Sequence, residues 1–263
     1  TMPSFSANLS LLFTELPMLE RFGAARECGF QGIEIQFPYE TPAEHIKAQI
    51  DLTGLELVLI NVPAGDLMNG GEGLASVPSK RQDFLAAVNK AAEYADILRP
   101  KLINVLPGCC FEIKRFDQYM ETFTSNLIHA ANVFLDQGIK VVFEAVNTKD
   151  MPGFLIHNGE QLVQVLEDLN HSNVYLQYDI YHMHTMGEDH LAFFQRYSER
   201  VGHIQFADAP GRHQPGTGHI DFVSLFKAID ASGYNGWLGA EYRPSVTTRD
   251  SLDWFVRYCH STD

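Results

Sequence analysis

Three acidic side chains and one amide stand at the ends of apolar runs. Glu144 follows Val141-Val142-Phe143, and Asp179 closes Val174-Tyr175-Leu176-Gln177-Tyr178. Gln205 follows Gly202-His203-Ile204, and Glu241 follows Trp237-Leu238-Gly239-Ala240. If these tips converge, three carboxylates share one space, and like charges raise one another's pKa unless a cation or protons intervene. An all-oxygen set suits a hard octahedral ion, Mg²⁺ or Mn²⁺, with positions left for water or substrate oxygens. A single acidic residue after a strand is more often a helix N-cap or a solvated loop residue. Four in corresponding places are harder to explain that way, so the constellation carries the signal.

Convergence requires elements that aim the four tips at one point. Strand-like runs cover 5–8, 32–37, 55–61, 101–106, 140–146, 174–179, 201–206 and 236–241, most of them apolar and rich in β-branched or aromatic residues. That is the pattern of strands buried on both faces. Helical spacing separates them: Ala86, Ala87, Lys90, Ala91, Tyr94 and Ala95 form one set, and Phe116, Met120, Phe123, Leu127, Ala130, Ala131 and Phe134 another. Gly29, Gly138 and Gly233 sit where helices should stop. Eight alternations predict one α/β domain over residues 1–263, a single (β/α)8 TIM barrel. A doubly wound sheet usually has fewer repeats and a Gly-rich first turn, and no GxGxxG follows the first strand. In a barrel, chemistry gathers at the C-terminal strand ends. The four residues end the fifth to eighth strands, neighbours about 5 Å apart.

Composition narrows the partners. Nineteen basic against 33 acidic side chains give a formal charge of −14, which repels phosphate backbones and anionic lipid. A small-molecule substrate is expected, with no nucleic acid and no membrane. No uncharged run approaches the roughly 18 residues of a membrane span, and no basic-then-apolar leader is visible. Cys28, Cys109, Cys110 and Cys259 lack CxxC spacing and read as free thiols in a reducing, cytoplasmic setting. Homo-oligomerisation is left open.

The segments FSANLSLLFTELP, GFQGIEIQFPY, VVFEAVN, LQYDIYHMHT, HIQFADAPGRHQPGTGHIDF and GYNGWLGAEYRP run in order from about residue 5 to 254. Together they resemble the hydroxypyruvate isomerases and, more widely, the xylose-isomerase-like barrel superfamily; the 2-oxo-tetronate isomerases are close neighbours. The last segment, 233–244, is the most specific. The resemblance implies that Glu144 and Glu241 are proton donor and acceptor on opposite sides of the substrate and also bind the metal. It implies that Asp179 and Gln205 complete the metal set. Several relatives have histidine at the position of Gln205, and the amide makes this site harder and more oxygen-rich. His182 matches a substrate-contacting histidine, and Arg212 a basic residue that meets the substrate.

The implied reaction is an aldose-ketose isomerisation of a short hydroxy-keto acid, hydroxypyruvate to 2-hydroxy-3-oxopropanoate (tartronate semialdehyde), with a proton moved from C3 to C2 through an enediolate. One carboxylate removes a proton and another returns one, while the divalent ion steadies charge on oxygen. The spectator carboxylate needs a cation; Arg212 comes first and Lys149 second. A 2-oxo-tetronate isomerase or a sugar epimerase is the alternative on the same scaffold. Other classes fit less well: an endonuclease-type phosphodiesterase wants several metals, many histidines and a basic groove, and a non-catalytic binding barrel would not need both glutamates.

Other polar residues read more plainly. His182, His184, His190 and His203 could suggest a second metal, but core or surface histidines are commoner. The stretch Asn69-Gly70-Gly71-Glu72-Gly73 lacks the Lys-Ser/Thr of a phosphate cradle and is expected to be a mobile loop that brings Glu72 near the mouth. Phe13, Phe37 and Tyr39 are candidate pocket walls, with plain packing the equal alternative, and Cys109-Cys110 are structural.

Overall fold

The computed structural model describes residues 4–259, with the side chain of Cys259 outside the described set. The reading of Cys259 as a free thiol therefore lies outside what is described; Cys28, Cys109 and Cys110 are free.

Eight parallel strands close in sequence order into a barrel. They are β1 (Ser4–Asn8), β2 (Gly32–Ile35), β3 (Glu56–Asn61), β4 (Leu102–Asn104), β5 (Lys140–Glu144), β6 (Val174–Asp179), β7 (Val201–Phe206) and β8 (Trp237–Ala240). Around them run α1 (Met18–Glu27), α2 (Ala43–Thr53), α3 (Arg81–Leu98), α4 (Phe116–Asp136), α5 (Gly159–Leu169), α6 (Ile180–Thr185), α7 (His190–Tyr197), α8 (Phe222–Ala231) and α9 (Asp253–Cys259). All eight expected runs are strands, and β6 and β7 have the expected bounds. Others stop early because the chain turns away: β2 ends before Pro38 opens a 3₁₀ turn, and β5 ends at Glu144, beyond which Val146 bonds to Ile156 instead.

Helix ends follow local chemistry. Gly29, Gly138 and Gly233 all have positive φ, as their expected stop positions require. Arg99 and Asn170 take the same left-handed geometry after α3 and α5, stops that composition did not flag. Asn158 caps α5 by accepting from the Gln161 N–H.

Strand periodicity sorts the barrel interior into layers, since residues two apart share a face. Val58, Leu59, Leu102 and Val142, with Tyr175 and Trp237, form a small apolar plug. Two and four residues further along the same strands come Asn104, Glu144, Gln177, Asp179, Gly239 and Glu241. The plug is apolar and the mouth polar. The main core lies between strands and helices, where Phe5, Phe206, Phe226 and Trp254 pack edge to face at 5.2–6.0 Å.

Candidate active site

The C-terminal strand ends open into a cavity of about 590 Å³. Glu144, Gln177, His182, Arg212 and Glu241 line it, together with Gln36, Asn61, Asp150, Tyr181 and Arg243. Leu11, Phe37, Leu67, Met68, Leu106, Val146, Met151 and Phe154 supply its apolar wall.

The four strand-end residues fall into two linked pairs. Asp179 and Glu144 each turn an oxygen to within 4.8 Å of one another and of a His182 ring nitrogen. Glu241 and Gln205 are bonded directly, Gln205 Nε2 to Glu241 Oε2 at 3.0 Å. Gln177 joins the pairs: its Nε2 donates to Glu144 Oε2 at 2.7 Å and to Gln205 Oε1 at 2.9 Å. Register explains the closeness, because Glu144 lies beside Gln177 and Asp179 beside Gln205 in the ladder.

Asp179 uses its two oxygens differently. One oxygen caps α6, accepting from the His182 N–H at 3.0 Å, so the commonplace N-cap reading holds for Oδ1. Oδ2 lies 3.9 Å from His182 Nε2. Glu144 is similar: Asn104 and Gln177 both donate to Oε2, and Oε1 accepts no hydrogen bond among the described residues.

Burial dominates the electrostatics. It pushes Glu144 well above the usual carboxylate range, with Asp179 and Glu241 adding their repulsion. Asp179 is pushed up to about 6, burial outweighing the Arg212 charge. Glu241 rises to about 7 for the same reasons, although Arg212 Nη2 donates to its Oε1 at 2.9 Å. Near them, the buried amide oxygens of Asn104 and Gln177 have no donor among the described residues. Free carboxylate oxygens and unpaired amide oxygens around a site short of positive charge fit a divalent cation.

His182 is near enough to join such a ligand set, but its protonation argues for another role. Asn147 Nδ2, a donor only, sits 2.8 Å from His182 Nδ1, and Asn147 Oδ1 is already taken by the Asp150 N–H. Nδ1 must therefore accept, so in the neutral ring the proton is on Nε2 and faces the cavity. Burial and the Arg212 charge keep the ring neutral, its pKa well below the ordinary value. That leaves the His182 Nε2–H as a neutral hydrogen-bond donor at the cavity wall.

Arg212 reaches the cavity from the β7–α8 loop and lies over the Tyr181 ring, 5.3 Å from its centroid. Its buried Nε has no hydrogen-bond partner among the described residues. Lys149 is exposed and does not line the cavity. Arg243, which sequence reading passed over, does line it, and its exposed side chain has no ion pair among the described residues. It lay within the GYNGWLGAEYRP segment, two residues after Glu241, a position that could have flagged it.

Several lesser expectations change. Glu72 does not line the mouth; its carboxylate is tied to the Phe111 N–H at 2.8 Å and the Tyr119 hydroxyl at 2.7 Å. Leu67 and Met68, just ahead of it, reach the cavity instead. Phe37 is a wall residue, Phe13 is core, and the Tyr39 hydroxyl is bound to the Asn61 carbonyl. Cys109 packs with Leu67, Val146 and Phe154. Among the described residues the other histidines form no second metal-capable group: the Tyr178 hydroxyl pairs with His190 at 2.6 Å and Glu34 with His203 at 2.6 Å.

Comparison with known proteins places this geometry among relatives. The family described as Xylose isomerase-like TIM barrel matches residues 22–258. The chain is 40% identical to hydroxypyruvate isomerase of Escherichia coli (strain K12), covering 97% of this chain and 98% of that one. It is 36% identical to 2-oxo-tetronate isomerase of Cupriavidus necator, covering 98% and 99%. A crystal structure described as an AP endonuclease, family 2, from Brucella melitensis superposes with a TM-score of 0.94 at 36% identity, covering 98% and 99%. Among the described residues, no helix is long and apolar enough to cross a membrane.

Proposed function

The chain belongs to the Xylose isomerase-like TIM barrel family, and from that premise we propose that it isomerises a short hydroxy-keto acid, hydroxypyruvate before 2-oxo-tetronate. The observation that carries the reading is the pair Glu144 and Glu241, two buried carboxyls with raised proton affinity in one cavity. Full-length relatives named as isomerases of these acids agree with it.

In this reading one glutamate takes the proton from C3 of the substrate and the other returns one to C2. The proton on the C3 hydroxyl passes to the C2 oxygen, so hydroxypyruvate becomes 2-hydroxy-3-oxopropanoate with nothing gained or lost. A base works best when its pKa lies near the working pH, and burial has moved both groups in that direction. The Nε2–H of His182 donates to a substrate oxygen, and the Arg212 guanidinium, which lines the cavity, receives the carboxylate. Lys149 would need to swing inward to replace it, whereas Arg243 already faces the cavity. Glu144, Asp179, Gln205 and Glu241 would hold Mg²⁺ or Mn²⁺, which when bound supplies Lewis-acid stabilisation of negative charge developing on oxygen. The apolar wall keeps water from the reacting carbons.

The Brucella structure's description raises a nuclease as a second reading. Phosphodiester cleavage in this scaffold calls for several ions and a basic groove. The described residues offer one metal-capable group and the chain carries −14, which favours the isomerase. Proton NMR of hydroxypyruvate and 2-oxo-tetronate, each incubated with the protein and Mg²⁺ or Mn²⁺, tests the proposal. The expected result is interconversion with the aldehyde form; no turnover of either acid would defeat it.

A further inference from the structure

Beneath the cavity lies a polar layer that the proposed chemistry does not use. Glu34, on β2, is fully buried inside the barrel. Its Oε2 accepts from Ser6 Oγ at 2.7 Å and faces His203 Nε2 at 2.6 Å. Its Oε1 accepts from Asn8 Nδ2 at 3.2 Å and Gln205 Nε2 at 2.8 Å. A dry carboxylate is tolerated only when donors saturate it, and side chains from β1 and β7 meet both of its oxygens. Gly239 makes room for it: a Cβ there would stand 2.0 Å from Glu34 Oε2.

The consequence falls on Gln205. The carboxamide turns its nitrogen toward the Glu34 carboxylate at 2.8 Å, and the same nitrogen reaches Glu241 Oε2 at 3.0 Å. Its oxygen is thereby aimed the other way, toward Gln177 and the Glu144 side of the cavity. Asn8 repeats the arrangement, its Nδ2 bridging Glu34 Oε1 and Glu241 Oε2 at 3.0 Å. Both amides clamp Oε2 of Glu241, and Oε1 is the atom left facing Arg212.

We propose that Glu34 is the positioning residue of this site: it fixes the Gln205 amide with its oxygen toward the cation-binding side and, through Gln205 and Asn8, holds Glu241 so that Oε1 alone meets the substrate. The inference rests on the isomerase reading for the role of Glu241, but the orientation of Gln205 stands apart from it. With Glu34→Gln, position 34 can offer N–H groups, and the Gln205 amide loses its shortest acceptor, leaving only Glu241 and Gln177 to hold its oxygen toward the cation side.

Two measurements test this, and neither needs turnover. In wild-type protein the Gln205 side-chain amide protons, assigned by their loss in Gln205→Glu, should exchange with water far more slowly than those of exposed glutamines. Calorimetric titration with Mn²⁺ should show Glu34→Gln weakened by about 10–100-fold, the usual cost of losing the group that orients a ligand. Ser6→Ala, which removes one bond to Glu34 and none to Gln205, should bind Mn²⁺ like wild type. In assays, Glu34→Gln should lose kcat while KM stays within about twofold. Fast-exchanging Gln205 amide protons, or a folded Glu34→Gln protein with unchanged Mn²⁺ affinity and kcat, would overturn the proposal. If Glu34→Gln does not fold, the wild-type exchange measurement decides. Absence of isomerase activity in the wild type would sink the functional reading and leave the Gln205 readouts intact.

Discussion

Glu144 and Glu241 reach one cavity from strands separated by two others, and their chemistry is open to conservative substitution. Glu144→Gln and Glu241→Gln keep size and one oxygen but remove the basic carboxylate. Each should lower kcat by about 10²–10⁴-fold with unchanged circular dichroism, and the double variant should be little worse than either single one. A glutamine variant with near-normal turnover would end the paired-glutamate mechanism. The raised carboxyls also make a stability prediction. A group whose folded pKa exceeds its unfolded value binds more protons when folded, so its stabilising effect is complete at acid pH and is lost as pH rises through the folded pKa. For Asp179 at about 6 and Glu241 at about 7, chelator-treated protein should lose Tm between about pH 4 and 7. Glu241→Gln should flatten that slope, and added Mn²⁺ should restore Tm at the upper end. An identical slope in the variant would show that Glu241 does not carry the effect.

Single elements decide how the cations are presented. The β7–α8 loop that carries Arg212 is wound around Asp208, whose buried carboxylate accepts from the N–H groups of Ala209, Gly216, Gly218 and Ile220 at 2.8–3.2 Å. Gly218 fits only because it lacks a Cβ, which would stand 2.2 Å from the Ala209 carbonyl oxygen. Arg212 itself has φ 59°, a left-handed conformation that non-glycine residues adopt at some cost, held here by the Arg243 N–H donating to its carbonyl at 2.8 Å. Asp208→Ala leaves those amides to water or to nothing, at about 1–3 kcal/mol for each one left unpaired. KM for acid substrates should rise severalfold while kcat at saturation changes less; an unchanged KM would separate loop order from substrate binding. None of this was legible in sequence, where the spacing from Gly202 to Arg212 left the loop path undefined.

At the scale of the whole molecule, the barrel is sealed by the aromatic cluster joining β1, β7, α8 and α9. Trp254 stacks edge-on against Phe5 and Phe206 at 5.4 and 5.2 Å and is 3% exposed. Trp254→Ala should cost about 3–5 kcal/mol, read as a lowered midpoint in urea, with KM close to wild type because the cluster lies outside the strand ring. A large KM change with unaltered stability would place Trp254 nearer the site than the packing does.

The sequence by itself determined the barrel and the strand-end constellation, because both are written in short-range patterns. Apolar runs of four to eight residues specify strands, helical spacing specifies what separates them, and a polar residue closing a strand must emerge at the mouth. That is why Glu144, Asp179, Gln205 and Glu241 could be picked out, and why the resemblance carried by GYNGWLGAEYRP agreed with them. Only the tertiary structure decided how the four are divided and held. The pairing of Glu34 with His203 spans 169 positions, the Gln177 bridge depends on strand register, and the choice between Arg212, Arg243 and Lys149 depends on a loop wound around a buried aspartate. Such contacts arise from closure of the ring, which pairs β1 with β8 and so brings β2 and β7 within side-chain reach. No local pattern encodes a distance across it.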